Sequence, residues 1–276
     1  MTSKPVILYR PNRDIWGNDP EFEVAKKYFD VVTQRTEVGT GRVVIPRFSG
    51  QPFFGELEKD ILNQGSILIT TRSQFEFIAD LGNWVDLFSD LTPRTWSRLE
   101  DIPEQGPFIL KGQTNSRKQQ WRELMYAETK RDAVEIYLNL LNDPLFEQQR
   151  IYIRQFIPLA NYGVDLSGCP ISDEYRFFIL NGKVIASGFY WGSHLVDIAG
   201  DGFSSRQPDI NRIPVGFIQE IINRVGDQAR FYVADIALTA NNEAILIELN
   251  DGGQSGLNSI DPDIFYSSLY QALNYE

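Results

Sequence analysis

The order of apolar runs in this chain predicts an α/β half followed by an α+β half. Three observations carry that expectation. From residue 5 to about residue 100, short strand-like runs alternate with amphipathic stretches. Three breaker pairs, Thr92-Pro93, Ile102-Pro103 and Gly106-Pro107, then mark a passage between two domains. Beyond it, two pairs of apolar runs flank Asn181-Gly182 and Asn241-Asn242, as the strands of antiparallel hairpins do. The boundary is placed near residue 105, giving domains 1–105 and 106–276.

In the first domain, residues 5–9, 42–45 and 66–70 predict strands, and 21–29, 54–63 and 74–81 predict amphipathic helices. Each strand run is followed at once by an arginine: Arg10 after VILY, Arg47 after VVIP and Arg72 after ILITT. Ligands of open α/β sheets bind beyond the carboxyl ends of parallel strands. The three arginines could therefore converge on a substrate carboxylate or phosphate, the alternative being three unrelated surface arginines. In the second domain, 107–110 and 150–156 predict strands and 130–141 a helix. EYRFFIL and KVIASGFY pair about Asn181-Gly182, 214–225 is a helix, and FYVADIAL and AILIEL pair about Asn241-Asn242. Asp261-Pro262 supplies the cap and first-turn proline of a last helix ending near Asn274.

Composition removes several function classes. A net charge of −11 argues against wholesale binding to nucleic acid or to an anionic membrane, although a local basic pocket remains compatible with it. Hydrophobic residues at 42% and aromatics at 13% are enough for a sizeable globular core. Cys169 is the only cysteine and His194 the only histidine, which excludes an intrachain disulfide and a Cys- or His-based metal cage. A reducing cytoplasm fits. No apolar run approaches eighteen residues and the N-terminus does not read as a signal segment, so neither membrane insertion nor export is expected.

The chemistry concentrates in the second hairpin. A two-residue turn on Asn241-Asn242 sets Asp235 directly opposite Glu248 and Val233 opposite Asn250, with both carboxylates on one face. Like charges so placed need a cation, a proton or an arginine between them, unless that face lies open to water. With Asn250 as a third oxygen donor, the set suits a hard cation of Mg²⁺ type. Glu248→Gln is then expected to leave the fold intact or slightly stabilised by relief of repulsion. Arg176 interrupts an aromatic strand, opposite Ser187 across the first hairpin. Its partner is either one of these acids or an anionic ligand. Lys111, Arg117 and Lys118 surround a polar loop able to neutralise a polyphosphate or simply to sit in water; with Gly112 its only glycine, the loop matches no P-loop or dinucleotide motif. The 251–256 run DGGQSG allows close backbone approach to a ligand or is an ordinary connection, and His194 carries no accompanying nucleophile pattern.

The order of these features, a lysine at a strand end, a strand running into RQFIP, an arginine strand, then Asp235, Glu248 and Asn250 on a hairpin, resembles the ATP-grasp superfamily. More narrowly it resembles the clade named for one arginine and two lysines, to which YRPN and PRFSGQPFFGELE add likeness. The resemblance implies a Rossmann-like N-terminal α/β domain before a pair of α+β subdomains that clasp ATP. Lys111 would contact the nucleotide phosphates, Arg154, Gln155, Phe156 and Ile157 would form the strand and hinge beside adenine, and Asp235, Glu248 and Asn250 would hold Mg²⁺. Lys118 and Arg176 are candidates for the second lysine and the arginine, with Arg154 a rival for the latter. Arg10, Arg47 and Arg72 would belong to the acceptor site. The glycine-poor loop departs from the family pattern. The implied activity is ATP-dependent ligation of a small or peptide carboxylate to an amine-type nucleophile through an acyl phosphate. A nucleotide-binding module without turnover and a kinase on the same fold are the alternatives.

Overall fold

The computed structural model describes residues 4–11, 17, 19–192 and 207–274. The first half forms a parallel sheet in the order β2-β1-β3-β4, from β1 (Val6–Tyr9), β2 (Asp30–Val32), β3 (Val43–Arg47) and β4 (Ile67–Leu68). All four residues of β1 are buried, as a central strand covered on both faces requires. Helix α1 (Pro20–Tyr28) starts where the Asp19 carboxylate accepts from Phe22 N at 3.1 Å. Helix α2 (Phe54–Asn63) coincides with the expected 54–63 and buries Phe54, Leu57 and Ile61. Helix α3 (Arg72–Ala79) begins two residues earlier than its apolar pattern suggests, because Thr71 and Gln74 form a capping box. Arg72 is thereby drawn into a helix rather than left at a strand end. A short α4 (Leu81–Trp84) follows.

The second half holds two antiparallel four-stranded sheets. The first takes the order β5-β8-β6-β7, from β5 (Thr95–Trp96), β6 (Gln105–Gly112), β7 (Tyr126–Thr129) and β8 (Ile151–Gln155). Strand β5 lies before the expected boundary at 105 yet joins this sheet through Thr95 and Trp96. Helix α5 (Trp121–Leu124) precedes β7, and α6 (Lys130–Leu141) packs beneath Phe108, Leu110 and Ile153. A ribbon of β9 (Asn161–Val164) and β10 (Pro170–Ser172) leads to the other sheet. That sheet runs β12-β11-β13-β14, from β11 (Glu174–Leu180), β12 (Lys183–Phe189), β13 (Phe231–Leu238) and β14 (Ala244–Asp251). Asn181 and Gly182 both take positive φ, 48° and 71°, as the expected Asn-Gly turn demands. Helices α7 (Val215–Val225) and α8 (Pro262–Asn274) complete the fold.

The two faces of this last sheet have different fates. Tyr175, Phe177, Ile179, Ile236 and Leu249 join one core with α4 and α7. On the opposite face, Phe178, Leu180, Phe231 and Val233 pack against Ile7 and Ile45 of the N-terminal sheet and against Phe265 and Leu269 of α8. The end of that second face bearing Glu174, Arg176 and Asp235 has a polar wall in place of apolar cover, and there the cleft forms.

The two halves are also locked by a charge. Arg47 ends β3 in a buried position, where Nη2 pairs with Glu21 Oε1 at 2.6 Å and Nη1 donates to Gly253 O at 3.0 Å and Ser255 O at 2.8 Å. Its guanidinium therefore holds the loop after β14. Arg47→Met leaves those carbonyls without a donor and Glu21 with only the Tyr266 hydroxyl, and is expected to cost about 3 kcal/mol in urea unfolding; a loss under about 1 kcal/mol would contradict this bracing role.

Asp251 closes β14 with Oδ1 accepting from Gln254 N at 3.0 Å and Oδ2 buried without a hydrogen bond. Burial pushes its carboxyl up to about 6. The folded state thus holds this proton more tightly than the unfolded chain, and its contribution to stability falls as pH rises from about 4 through about 6. Asp251→Asn is expected to remove that fall and to gain on the order of 1–2 kcal/mol at pH 7. An unchanged stability–pH profile in the variant would contradict the assignment.

Candidate active site

A cleft of about 220 Å³ opens between the two antiparallel sheets. Its lining includes the apolar Ile109, Phe156, Ile157, Leu159 and Ile247 and the charged Lys111, Lys118, Glu174 and Glu248. Gln155 at the end of β8 and the following Phe156 and Ile157 also line the cleft.

Glu248 reaches the cleft because of one extra residue. Near the turn, Leu238 pairs with Ala244 and Ile236 with Leu246; then Ile247 bulges out, and Asp235 pairs with Glu248 and Val233 with Asn250. The expected register is therefore observed, but the turn that leads to it differs from the expected one. The turn is not a two-residue loop on Asn241-Asn242. Thr239 N donates to Glu243 O at 2.8 Å, enclosing three residues with Asn242 at φ 64°. The turn and the bulge each shift pairing by one residue and cancel. Arg154 fixes the bulge, Nη1 donating to Ile247 O at 2.6 Å and Nη2 to Thr92 Oγ1 at 2.6 Å.

The acids on this face are matched by buried cations. Arg176 donates Nε to Asp235 Oδ1 at 2.9 Å and Nη2 to Oδ2 at 2.8 Å, a bidentate pair in which the Asp235 side chain is 0% exposed. Its Nη1 donates to Gly256 O at 2.8 Å, which ties the loop after β14 to the site. Lys111 forms an ion pair with Glu248. Burial pushes the Glu248 carboxyl up, but the Lys111 ammonium, helped by Lys118 and Arg176, holds that carboxyl below the usual range. Lys111 itself is drawn down by burial against the pull of Glu248. Lys118 stands 3.9 Å from the ring centre of Tyr190 and 4.7 Å from that of Trp191. Burial lowers its pKa, but Glu174 and Tyr190 more than offset this and leave it raised.

The family model for the ATP-grasp domain, family 3 of the clade named for one arginine and two lysines, matches residues 98–269. The chain belongs to the ATP-grasp family. A search of curated protein sequences returns no match. Solved structures with a similar fold include D-cycloserine synthetase DcsG, at 12% identity and TM-score 0.60, covering 98% of this chain and 99% of that one. A RimK domain ATP-grasp protein from Sphaerobacter thermophilus is similar at 11% identity and TM-score 0.57, covering 95% and 98%. The ATP-grasp ligase PsnB, complexed with minimal precursor, Mg and ADP, is similar at 10% identity and TM-score 0.56, covering 98% of both chains.

Within this ATP-grasp chain, several expected residues occupy other positions. Arg176 faces Gly188 instead of Ser187, since β12 carries a bulge beside Val184. Arg154 is buried, and its guanidinium serves Thr92, Thr95 and Ile247; burial pushes it down to about 10. Arg117 pairs with Asp143 and stands outside the lysine cluster it was expected to share. Arg10, Arg47 and Arg72 each have a local partner: the Phe48 ring 4.8 Å from Arg10, Glu21 for Arg47, and Glu76 at 2.6 Å from Arg72. His194 lies outside the described residues. Glu174, Tyr190 and Trp191 went unread in the sequence. Glu174 stands two residues before Arg176 and so shares its face, a signal that was available; the aromatics meet Lys118 only through tertiary folding.

Because Glu248 already has a cation, Glu248→Gln does not relieve repulsion. It leaves the Lys111 ammonium buried near Arg154 without its acid, and is expected to destabilise by about 2 kcal/mol at pH 7. The deficit should shrink toward about pH 10 as Lys111 sheds its proton, because the folded variant binds that proton less tightly than the unfolded chain. Urea unfolding of the variant across pH checks both statements, and equal or greater stability at pH 7 would contradict them.

Proposed function

We propose that this protein is an ATP- and Mg²⁺-dependent ligase that joins a carboxylate to an amine-type nucleophile. The observation that carries the reading is a cleft whose lining divides between apolar residues and the charged Lys111, Lys118, Glu174 and Glu248, with the Arg176–Asp235 pair on the same sheet face as Glu174 and Glu248. A nucleotide has the same division, a flat apolar base and a polyanionic tail. Phosphate oxygens compete with the carboxylates for Lys111 and Arg176, and each cation drawn away frees an acid for metal. Asp235, Glu248 and Asn250 suit a hard divalent cation by donor type: two carboxylates in register and an amide two residues along the same face. When bound, Mg²⁺ neutralises charge on the phosphates.

The chain's own residues bind and orient. Gln155, Phe156 and Ile157 lie beside the adenine, Lys111 and Lys118 hold phosphate oxygens, and Arg176 stabilises negative charge on the transferred group. A carboxylate oxygen of the first substrate attacks the γ-phosphorus and ADP leaves. The amine then attacks the acyl carbon, phosphate leaves and the amine proton passes to solvent or to the phosphate. No protein nucleophile is needed, and burial pushes the Cys169 thiol up to about 12, far from a thiolate at neutral pH. Of the three strand-end arginines, Arg10, exposed at the carboxyl end of β1, is the one assigned to the acceptor carboxylate. The single thiol and acidic composition suit a cytoplasmic setting.

Incubating the protein with ATP, Mg²⁺, a panel of small and peptide acids, and hydroxylamine tests this reading. A ligase releases ADP and yields a hydroxamate with the right acid. A stable phosphorylated product would instead identify a kinase, and analogue binding without turnover a nucleotide-binding module. Asp235→Asn is expected to lower ADP release at least about a hundredfold; retained turnover in that variant would remove Asp235 from the site.

A further inference from the structure

Glu174 is the least explained charge in the cleft. It is 3% exposed, begins β11 on the face of Arg176, and lines the cleft wall. Its Oε2 accepts from Ser172 Oγ at 2.8 Å, but its Oε1 is buried with no hydrogen bond. A carboxylate oxygen in that state costs folding energy and calls for a nearby cation or a ligand donor. The Lys118 ammonium lines the same cleft, and its ring contacts lead back to Glu174. Glu174 O accepts from Tyr190 N at 2.9 Å, and Ser172 Oγ in turn accepts from Trp191 Nε1 at 3.0 Å. Both rings that cradle the Lys118 ammonium are therefore hung on Glu174, one through its backbone and one through Ser172.

We propose that Glu174 is a positioning residue that keeps the Lys118 ammonium inside the Tyr190–Trp191 cage and presented to the nucleotide phosphates. The proposal rests on the nucleotide reading of the cleft. Burial pushes the Glu174 carboxyl up and the Lys118 ammonium opposes that rise, so each charge supports the other in the cleft they both line, while Lys111 and Arg176 are taken up by their own acids. Without Glu174, burial and the neighbouring cations would push Lys118 out of the cage or strip its proton. Simple electrostatics gives the opposite sign: deleting a buried negative charge beside a polyphosphate site should tighten anion binding. The sign of the effect therefore decides.

The test is a double-mutant cycle read by binding of a non-hydrolysable ATP analogue with Mg²⁺, followed through the fluorescence of Trp121 and Trp191 at the cleft. Native protein, Glu174→Gln, Lys118→Met and the double variant are compared, with thermal melting of each to confirm folding. Glu174→Gln is expected to weaken affinity about tenfold when Lys118 is present and less than about twofold when it is replaced by methionine. Glu174→Asp, which keeps the charge, should stay within about threefold of native and provides a second variant if the glutamine form folds poorly. Unchanged or tighter binding by Glu174→Gln would overturn the proposal, as would equal losses in both backgrounds, which mark a purely structural role. Native affinity in Lys118→Met would overturn it while leaving the nucleotide reading standing. Failure of the native protein to bind the analogue would overturn both.

Discussion

A single extra residue in one strand organises the site. Without the bulge at Ile247, the pairing that starts at Leu238 and Ala244 would continue unbroken, and Glu248 would point into the apolar core instead of the cleft. Side chains alternate with period two, so one inserted residue moves both Glu248 and Asn250 to the face of Asp235. Arg154 makes the bulge tolerable by taking the Ile247 carbonyl, and it links that carbonyl to Thr92 and to β8.

Charge pairing follows from that placement. Two carboxylates in register on a buried face are stable only with cations close by, and the fold brings them from distant segments: Arg176 from the neighbouring strand and Lys111 from the opposing sheet. The pairs neutralise the wall, and under the proposed function an anion and a hard cation exchange into them together. Buried pairs of this kind contribute little net stability compared with apolar packing. Their value here is a polar surface held rigid on strands, with Gly256 and the loop after β14 anchored by Arg176 and Arg47.

Strongly periodic or capped segments were legible in the sequence. The α2 helix, the Asn-Gly hairpin and the last helix stand where their patterns place them, because local chemistry determines each. The Asp235–Glu248 register was reached through a turn geometry that the chain does not adopt, and it survives only because the bulge restores the missing residue. Bulges leave no plain mark in a β-branched run, so neither this one nor the shift beside Val184 could be read. Arginines proved the least legible. Arg47, Arg117 and Arg154 serve acids or carbonyls whose proximity depends on tertiary packing, and Arg72 pairs with Glu76 one turn along a helix that starts earlier than its apolar pattern suggests. Glu174 shows the converse: its spacing from Arg176 was visible, but its relation to Lys118 required the aromatic pair that follows β12.

The most direct test of the central claim, that the paired charges form a joint site for nucleotide and metal, is calorimetric titration of the native protein. Mg²⁺ alone, a non-hydrolysable ATP analogue alone, and the two together would be titrated in turn. Negligible heat is expected from Mg²⁺ alone, because both carboxylates are held by cations, with much tighter binding when metal and analogue are supplied together. Analogue affinity indifferent to Mg²⁺, or no binding under any condition, would contradict the account.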